Sequence, residues 1–337
     1  MKIKDKKKLA RVIATWLVTG IMLSVFILDI ITLVIENSYV SKTVITDEKS
    51  SQQHSDDRIH FLNTANSDCI LLESNGRFAL IDSGEGNENP RKKTEYKGFR
   101  DEVIEYLKKV ASDKTGKVTL DFIVATHMHY DHAGNFTSII NDSNIKIQKA
   151  YIKDYDAQNV SEIESEHWGN RQMYIDITDA LKKHNIPIIN KVDTSDLNFG
   201  DFTLNFFNGE PEEKTQTNGE NANSIGIKVT KGEKSAFLAA DFTADTGLEA
   251  RFAESIGDVD ILKIGHHGYY GSSSADFLKV LKPEIAICTN QIGKIYPNVK
   301  WNFVMVAKAP VFSTVHRNGI ITTFTDDNEI VLTQNIM

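Results

Sequence analysis

Between Thr126 and Asn135 the chain reads Thr-His-Met-His-Tyr-Asp-His-Ala-Gly-Asn. Three imidazoles and a carboxylate within six positions form a nitrogen and oxygen donor set. Such a set suits zinc without any thiolate. The chain holds ten histidines in 337 residues, so random scatter does not place three of them in one short loop. The loop follows Phe122-Ile123-Val124-Ala125, an unbroken apolar run with the character of a buried strand. Residues two apart in extended backbone share a face, so His127 and His129 can converge on one ion. Asp131 and His132, past the bend, can face a second ion beside it.

Other strand ends carry polar residues as well. Phe78–Ile81 runs into Asp82-Ser83-Gly84, Ala236–Ala240 into Asp241, and Ile261–Ile264 into Gly265-His266-His267-Gly268. Taken singly, an aspartate at a strand tip is ordinarily a turn residue. Four such tips in one layered fold can meet on a single rim, where ligands bind in mixed sheets. The elements that must position them read as follows. Strands are expected at 59–62, 69–72 and 78–81, the last two joined by the Asn75-Gly76 turn. Phe99, Val103, Ile104, Leu107 and Val110 have helical spacing. Ser161 to His184 reads as one helix, acidic early and basic late, with His167 facing either solvent or the site. Strands at 202–207 and 224–230 enclose an acidic loop at 208–222. Helices are expected at 244–255, at 275–281 under a Ser274 cap, and at 301–309.

Composition is ordinary for globular protein, 41% hydrophobic and 25% charged. Residues 1–36 hold six Lys/Arg and three Asp/Glu, leaving 32 basic and 43 acidic residues, a balance of −11, for the rest. That is not the footprint of a nucleic-acid partner, which draws on clustered Lys and Arg. Cys69 and Cys288 sit in apolar runs and read as small buried hydrophobes. At the N-terminus, Lys2, Lys4, Lys6, Lys7, Lys8 and Arg11 precede an apolar stretch from Val12 to Ile35. Its helical length of about 36 Å exceeds the roughly 30 Å of a bilayer core. Residues 12–35 are therefore expected to meet the lipid bilayer, with the basic flank cytoplasmic and the remainder extracytoplasmic. Asp29 is costly in hydrocarbon, and it lies near the far end where the interface is in reach. No small-x-small site follows Leu28, which favours an uncleaved signal anchor over a signal peptide. The expected organisation is an anchor at 1–36, a flexible stalk at 37–57 rich in Ser, Thr, Asp and Gln, and a catalytic domain at 58–337.

The order of these motifs resembles the metallo-β-lactamase superfamily over about residues 58–290. The resemblance implies an α/β fold, a four-layer αββα sandwich with a one- or two-metal site at the sheet edges. Ile59-His60-Phe61-Leu62-Asn63, Ser67-Asp68 and Ile70 to Gly76 look like the opening of the phosphorylcholine esterase catalytic module. Asn221-Ala222-Asn223-Ser224 and His266-His267 with its Ser-rich turn resemble that module and the hydrolase domain of competence-type DNA-uptake channels. Carried over, His127 and His129 hold a first metal, Asp131, His132 and His267 a second, and Asp241 bridges them. His266 is left for the phosphate or a proton, Asp131 and His266 being the catalytic residues, and Asp82 orients ligand histidines from behind. Two zinc ions are implied, with manganese as the alternative. The third-motif histidine of the β-lactamases is missing, and Asn223-Ser224 stands in its place. That leaves the first metal one protein ligand short and points away from lactam opening. The implied activity is hydrolysis of a phosphodiester or a phosphorylated cell-envelope polymer. The alternatives are a competence-type nuclease and a non-catalytic metal-bearing binding domain.

Overall fold

The computed structural model describes residues 3–40, 45–47, 57–88, 90–91, 97–192, 196–210 and 219–337. Two twisted sheets are stacked face to face. The first runs β1 (Ile45–Asp47), β18 (Ile330–Gln334), β17 (Ile320–Phe324), β2 (Arg58–Phe61), β3 (Ile70–Ser74), β4 (Arg77–Ile81), β6 (Phe122–Ala125), β8 (Ala150–Ile152) and β9 (Ile188–Ile189). The second runs β10 (Leu197–Phe199), β11 (Phe202–Phe207), β12 (Gly226–Lys231), β13 (Lys234–Leu238), β14 (Ile261–Lys263), β15 (Ile285–Cys288) and β16 (Val311–Ser313). A small pair, β5 (Val118–Leu120) with β7 (Ile145–Ile147), stands apart.

Helices cover both outer faces. α2 (Arg100–Ala111), α3 (Tyr130–Ala133), α4 (Phe136–Asn141), α5 (Glu162–Trp168) and α6 (Asn170–Lys183) lie on the side of the first sheet. α7 (Leu248–Ile256), α8 (Ala275–Leu281) and α9 (Pro297–Asn302) lie on the side of the second, with a π turn at Phe303–Ala307 after α9. The result is the αββα sandwich the sequence led us to expect.

The unbroken apolar runs follow from this layering, because a strand between two cores is buried on both faces. On β3, Leu71 packs with Val103, Leu107, Phe136 and Ile177 beneath the helices, while Ile70 and Leu72 join the core between the sheets. Ile123 and Val124 on β6 divide in the same way, as do Phe237 and Leu238 on β13. The C-terminal strands β17 and β18 complete the first sheet by pairing antiparallel with β2 and with each other.

Four sequence expectations are corrected. The single helix at 161–184 is two, because Gly169 adopts φ 64° and ends α5 before α6 begins. The helix expected from 244 starts only at Leu248, after Gly247 with φ 76°. α9 begins at Pro297, a residue suited to a first helical turn, rather than at Trp301. Within the expected stalk, residues 37–40 continue the N-terminal helix α1 (Ile3–Val40), and β1 pairs parallel with β18. The other stalk positions lie outside the described residues, as does 211–218 of the acidic loop.

The segment Lys6–Ser38 of α1 contains an 18-residue stretch of mean hydropathy 2.5 and is long enough to cross a membrane. Asp29 is the charged residue in its apolar run Val12 to Ile35. It pairs with Lys300 of α9, whose side chain is 1% exposed.

Candidate metal centre

The centre sits where β4, β6, β13 and β14 end side by side. At three of these ends the backbone passes through left-handed residues other than glycine: Asp82 at φ 55°, Ala240 at φ 44°, and His266 and His267 at φ 47° and 51°. Each such residue costs on the order of 1–3 kcal/mol, and such strain collects where side chains must be aimed. The histidine loop is held low by a close backbone contact. A Cβ on Gly134 would lie 2.5 Å from the Gly86 nitrogen, so neither neighbour accommodates a side chain.

Two donor groups converge there. In one, His127 Nε2 is 3.2 Å from His129 Nδ1 and 3.5 Å from Asp241 Oδ2. In the other, His132 Nε2 is 3.1 Å from His267 Nε2 and 3.1 Å from Asp241 Oδ1. His267 Nε2 is 3.6 Å from both Asp131 Oδ2 and Asp241 Oδ1. A tetrahedral ion bound by imidazole and carboxylate at about 2.0–2.2 Å sets its ligand atoms about 3.3 Å apart. The observed separations, 3.1–3.6 Å, match that spacing. Asp131 Oδ1 is buried without a hydrogen-bond donor, a costly state unless a cation meets it. The residues present fit a divalent ion in each group.

Charge supports the same conclusion. Burial would raise Asp241, yet His132, His266 and His267 hold its carboxyl well below the usual range. Burial opposes a charge on His132 too, but Asp241 and Asp82 on either side push its imidazole well above the ordinary value. The carboxylates around His132 thus gather the negative charge that a bound cation would meet. His127, buried beside the His132 ring, falls to about 3 and keeps its lone pair for a ligand.

Behind each histidine stands a second partner. Asp82 Oδ2 is 2.7 Å from His132 Nδ1 and is itself fixed by the N–H and hydroxyl of Thr126. Asp68 Oδ1 is 3.3 Å from His267 Nδ1 and accepts from Thr289, while Lys263 pairs with its other oxygen. Burial pushes Asp68 up, but Lys263 and the histidines outweigh it and keep the group ionised. His127 Nδ1 meets the hydroxyls of Thr126 and Ser224 at 3.1 and 3.3 Å. His129 Nε2 meets Glu164 at 3.0 Å, and its ring stacks on Trp168.

All eight residues singled out in the sequence, namely Asp82, His127, His129, Asp131, His132, Asp241, His266 and His267, therefore lie at this one rim. His266 Nε2 is 3.9 Å from Asp241 Oδ2, the oxygen that faces His127, and 3.4 Å from the Asn221 amide. Sequence reasoning missed Asp68, Lys263, Glu164 and Trp168 as neighbours of the site. The last two share one face of α5, four positions apart, and that spacing was the available signal. His167 lies on the exposed side and meets only the edge of Trp168. In the turn that stands where the missing histidine would be, the Asn223 amide donates to Glu220 and the Ser224 hydroxyl meets His127. Trp168 is sandwiched between His129 and Arg91, and Tyr151 is packed in the core between the sheets. Cys69 and Cys288 are buried free thiols, Cys288 being pushed up to about 12 by burial.

The model of the metallo-beta-lactamase superfamily matches residues 62–289. The chain belongs to that superfamily. It is a metal-dependent hydrolase domain by family, and its buried His/Asp cluster is of the kind that holds divalent ions. Recombination protein 2 of Haemophilus influenzae is 34% identical over 87 residues, which is 26% of this chain and 10% of that protein. This superfamily member thus spans about a tenth of that relative. Among solved structures, the metallo-beta-lactamase fold protein YhfI of Bacillus subtilis is 12% identical, over 78% of this chain and 98% of its own, with a TM-score of 0.46. A diphosphatase of the PhnP family is 14% identical over 79% of this chain and 86% of its own, with a TM-score of 0.41.

Proposed function

We propose that this chain is a membrane-anchored, extracytoplasmic hydrolase that cleaves a phosphodiester or a phosphorylated envelope polymer with two zinc ions, manganese being the alternative. The observation that carries the reading is Asp241, whose two carboxylate oxygens face two separate histidine groups. His127 and His129 serve the first position, and Asp131, His132 and His267 the second, with Asp241 shared between them. Paired ions of this kind supply a hydroxide near neutral pH and clamp the entering and leaving oxygens of an in-line displacement.

The chain's own residues do the rest. Asp82 and Asp68 fix the ring orientation of His132 and His267, so that Nε2 of each is presented inward. Asp131, with one oxygen buried and unpaired, is placed to orient the attacking oxygen. His266 is partly exposed and burial lowers its pKa, so it enters the reaction neutral. Its place beside Asp241 Oδ2 fits two tasks: completing the first position, which lacks the third-motif histidine, or donating to the phosphate. The α1 helix, with its basic leading residues, supports the anchored orientation. The likeness to Recombination protein 2 favours a nuclease as the second reading, while the acidic balance of the domain opposes it.

The test is metal-dependent turnover of bis-p-nitrophenyl phosphate, p-nitrophenylphosphorylcholine, DNA and nitrocefin by the purified chain. Cleavage of the phosphodiesters alone supports the reading, and cleavage of DNA ahead of both selects the nuclease. Strong nitrocefin hydrolysis with every phosphodiester intact overturns it. His266→Ala then separates its two tasks: loss of one bound ion marks a ligand, while full metal with a rate down about 10²-fold marks a hydrogen-bond donor to the phosphate.

A further inference from the structure

One face of α1 is turned toward the catalytic domain. Leu28, Thr32 and Glu36 are buried, with Val25, Asp29 and Ile35 partly covered beside them, a single stripe at helical spacing. This stripe packs on α9 and β16. Asp29 pairs with the buried Lys300, and Glu36 pairs with Arg317 at 2.6 Å. The opposite side of the same turns, Phe26, Ile27, Ile30, Ile31, Leu33 and Val34, is apolar and exposed.

The lengths then matter. Exposed apolar residues run from Leu9 to Val34, a helical rise of about 39 Å against a hydrocarbon core of about 30 Å. The excess, about 9 Å, falls on the turns that dock against the domain. If the apolar side of those turns is to stay out of water, the domain edge beside them must approach the bilayer. That edge has the side chains for it. Tyr270 is 63% exposed, Tyr296 43%, Trp301 55% and Met305 53%, and Lys294 and Lys308 flank them in solvent. Outside α1, the other large exposed hydrophobic side chains among the described residues are Ile163 and Ile175. Aromatic rings with nearby lysines are the composition of a membrane–water interface.

We propose that the face formed by Tyr270, Tyr296, Trp301 and Met305 is a membrane-contact surface, seated among lipid headgroups beside α1. The inference rests on α1 spanning the bilayer. Its consequence is that the metal centre opens at the lipid surface. Tyr296 lies 6.0 Å from the Tyr270 ring and 6.3 Å from that of Tyr269, which is 5.5 Å from His266. The Tyr296 N–H also donates to Gly268, directly after the histidine pair.

The experiment uses the full chain in vesicles of phosphatidylcholine and phosphatidylglycerol. Nitroxide labels are placed singly at Trp301→Cys and Met305→Cys, with Ile163→Cys as the aqueous reference and Trp16→Cys as the reference for the span. Both native cysteines are buried. Collision with oxygen is compared with collision with a water-soluble nickel complex. The expected result is an oxygen-to-nickel ratio at 301 and 305 several-fold above that at 163. Ratios at 301 and 305 equal to 163, with position 16 in lipid, overturn the proposal and leave the anchor standing. An aqueous position 16 removes the anchor and the proposal together. Spin–spin broadening at 305 shows a second copy on this face, which also overturns it.

Discussion

The two halves of the metal centre are built differently. His132 and His267 are each backed by a fully buried carboxylate, Asp82 and Asp68, and those in turn are fixed by Thr126, Thr289 and Lys263. His127 leans on two hydroxyls, and His129 on Glu164, whose side chain is 21% exposed on a short helix. A ligand imidazole is a stronger and better oriented donor when its far nitrogen faces a charge held in a dry site. The second position is therefore the more electrostatically committed, while the first, though its donors are buried too, is backed by neutral hydroxyls and one partly exposed carboxylate. Such asymmetry suits a site where one ion is permanent and the other meets substrate.

The largest expected effect falls on the residue common to both halves. Asp241→Ala should take bound metal from about two ions per chain toward none and remove activity with it, read by elemental analysis and turnover. Retention of two ions would show that the groups do not share this carboxylate. Next come the backing residues. Asp68→Asn should weaken metal at the second position by about 10- to 100-fold. Glu164→Gln should weaken only the first, and by less, since its partner is nearer to water. Competition with a chelator, followed ion by ion, would show it. Equal losses in the two variants would erase the asymmetry. In the unaltered protein the same chelator should empty the first position before the second.

Much of this was legible in the sequence, and the reason is local. His127, His129, Asp131 and His132 lie within one turn, so strand periodicity alone places them together. Asp82, Asp241 and the histidine pair were found because each directly follows an apolar run that could only be a strand. Asp68 and Lys263 escaped for the opposite reason. Asp68 lies just before Cys69 and β3, and Lys263 lies inside β14, where a lysine reads as a solvent-facing break in the pattern. Only tertiary packing buries both, and only their mutual pairing makes that burial tolerable. The docking of α1 was hidden in the same way. Asp29 reads as a flaw in a membrane segment until Lys300, 271 positions away, is seen against it. The helix break at Gly169 was visible as a glycine, yet the charge pattern across it argued for continuity.

The smallest expected effect on metal binding concerns a group outside the two halves. Glu249 on α7 accepts the N–H groups of Ser273 and Ser274, in the turn that follows His266 and His267. Burial raises its carboxyl to about 7 in spite of those two donors. The folded protein thus keeps a proton that the unfolded chain has released above its ordinary value of 4.5. The stabilisation is full below about 4.5 and is lost as pH rises through about 7. Glu249→Gln is neutral throughout and carries no such dependence. The stability of the variant, measured against the unaltered protein without metal by thermal unfolding, should therefore gain across that interval, by up to about 3 kcal/mol. Metal affinity should change little at either position, because the hydrogen bonds of Glu249 go to Ser273 and Ser274 and not to the donors themselves. A midpoint difference that stays flat from pH 5 to pH 8 would show Glu249 ionising as an ordinary carboxylate. A change confined to one position would instead place this turn within a single half of the centre.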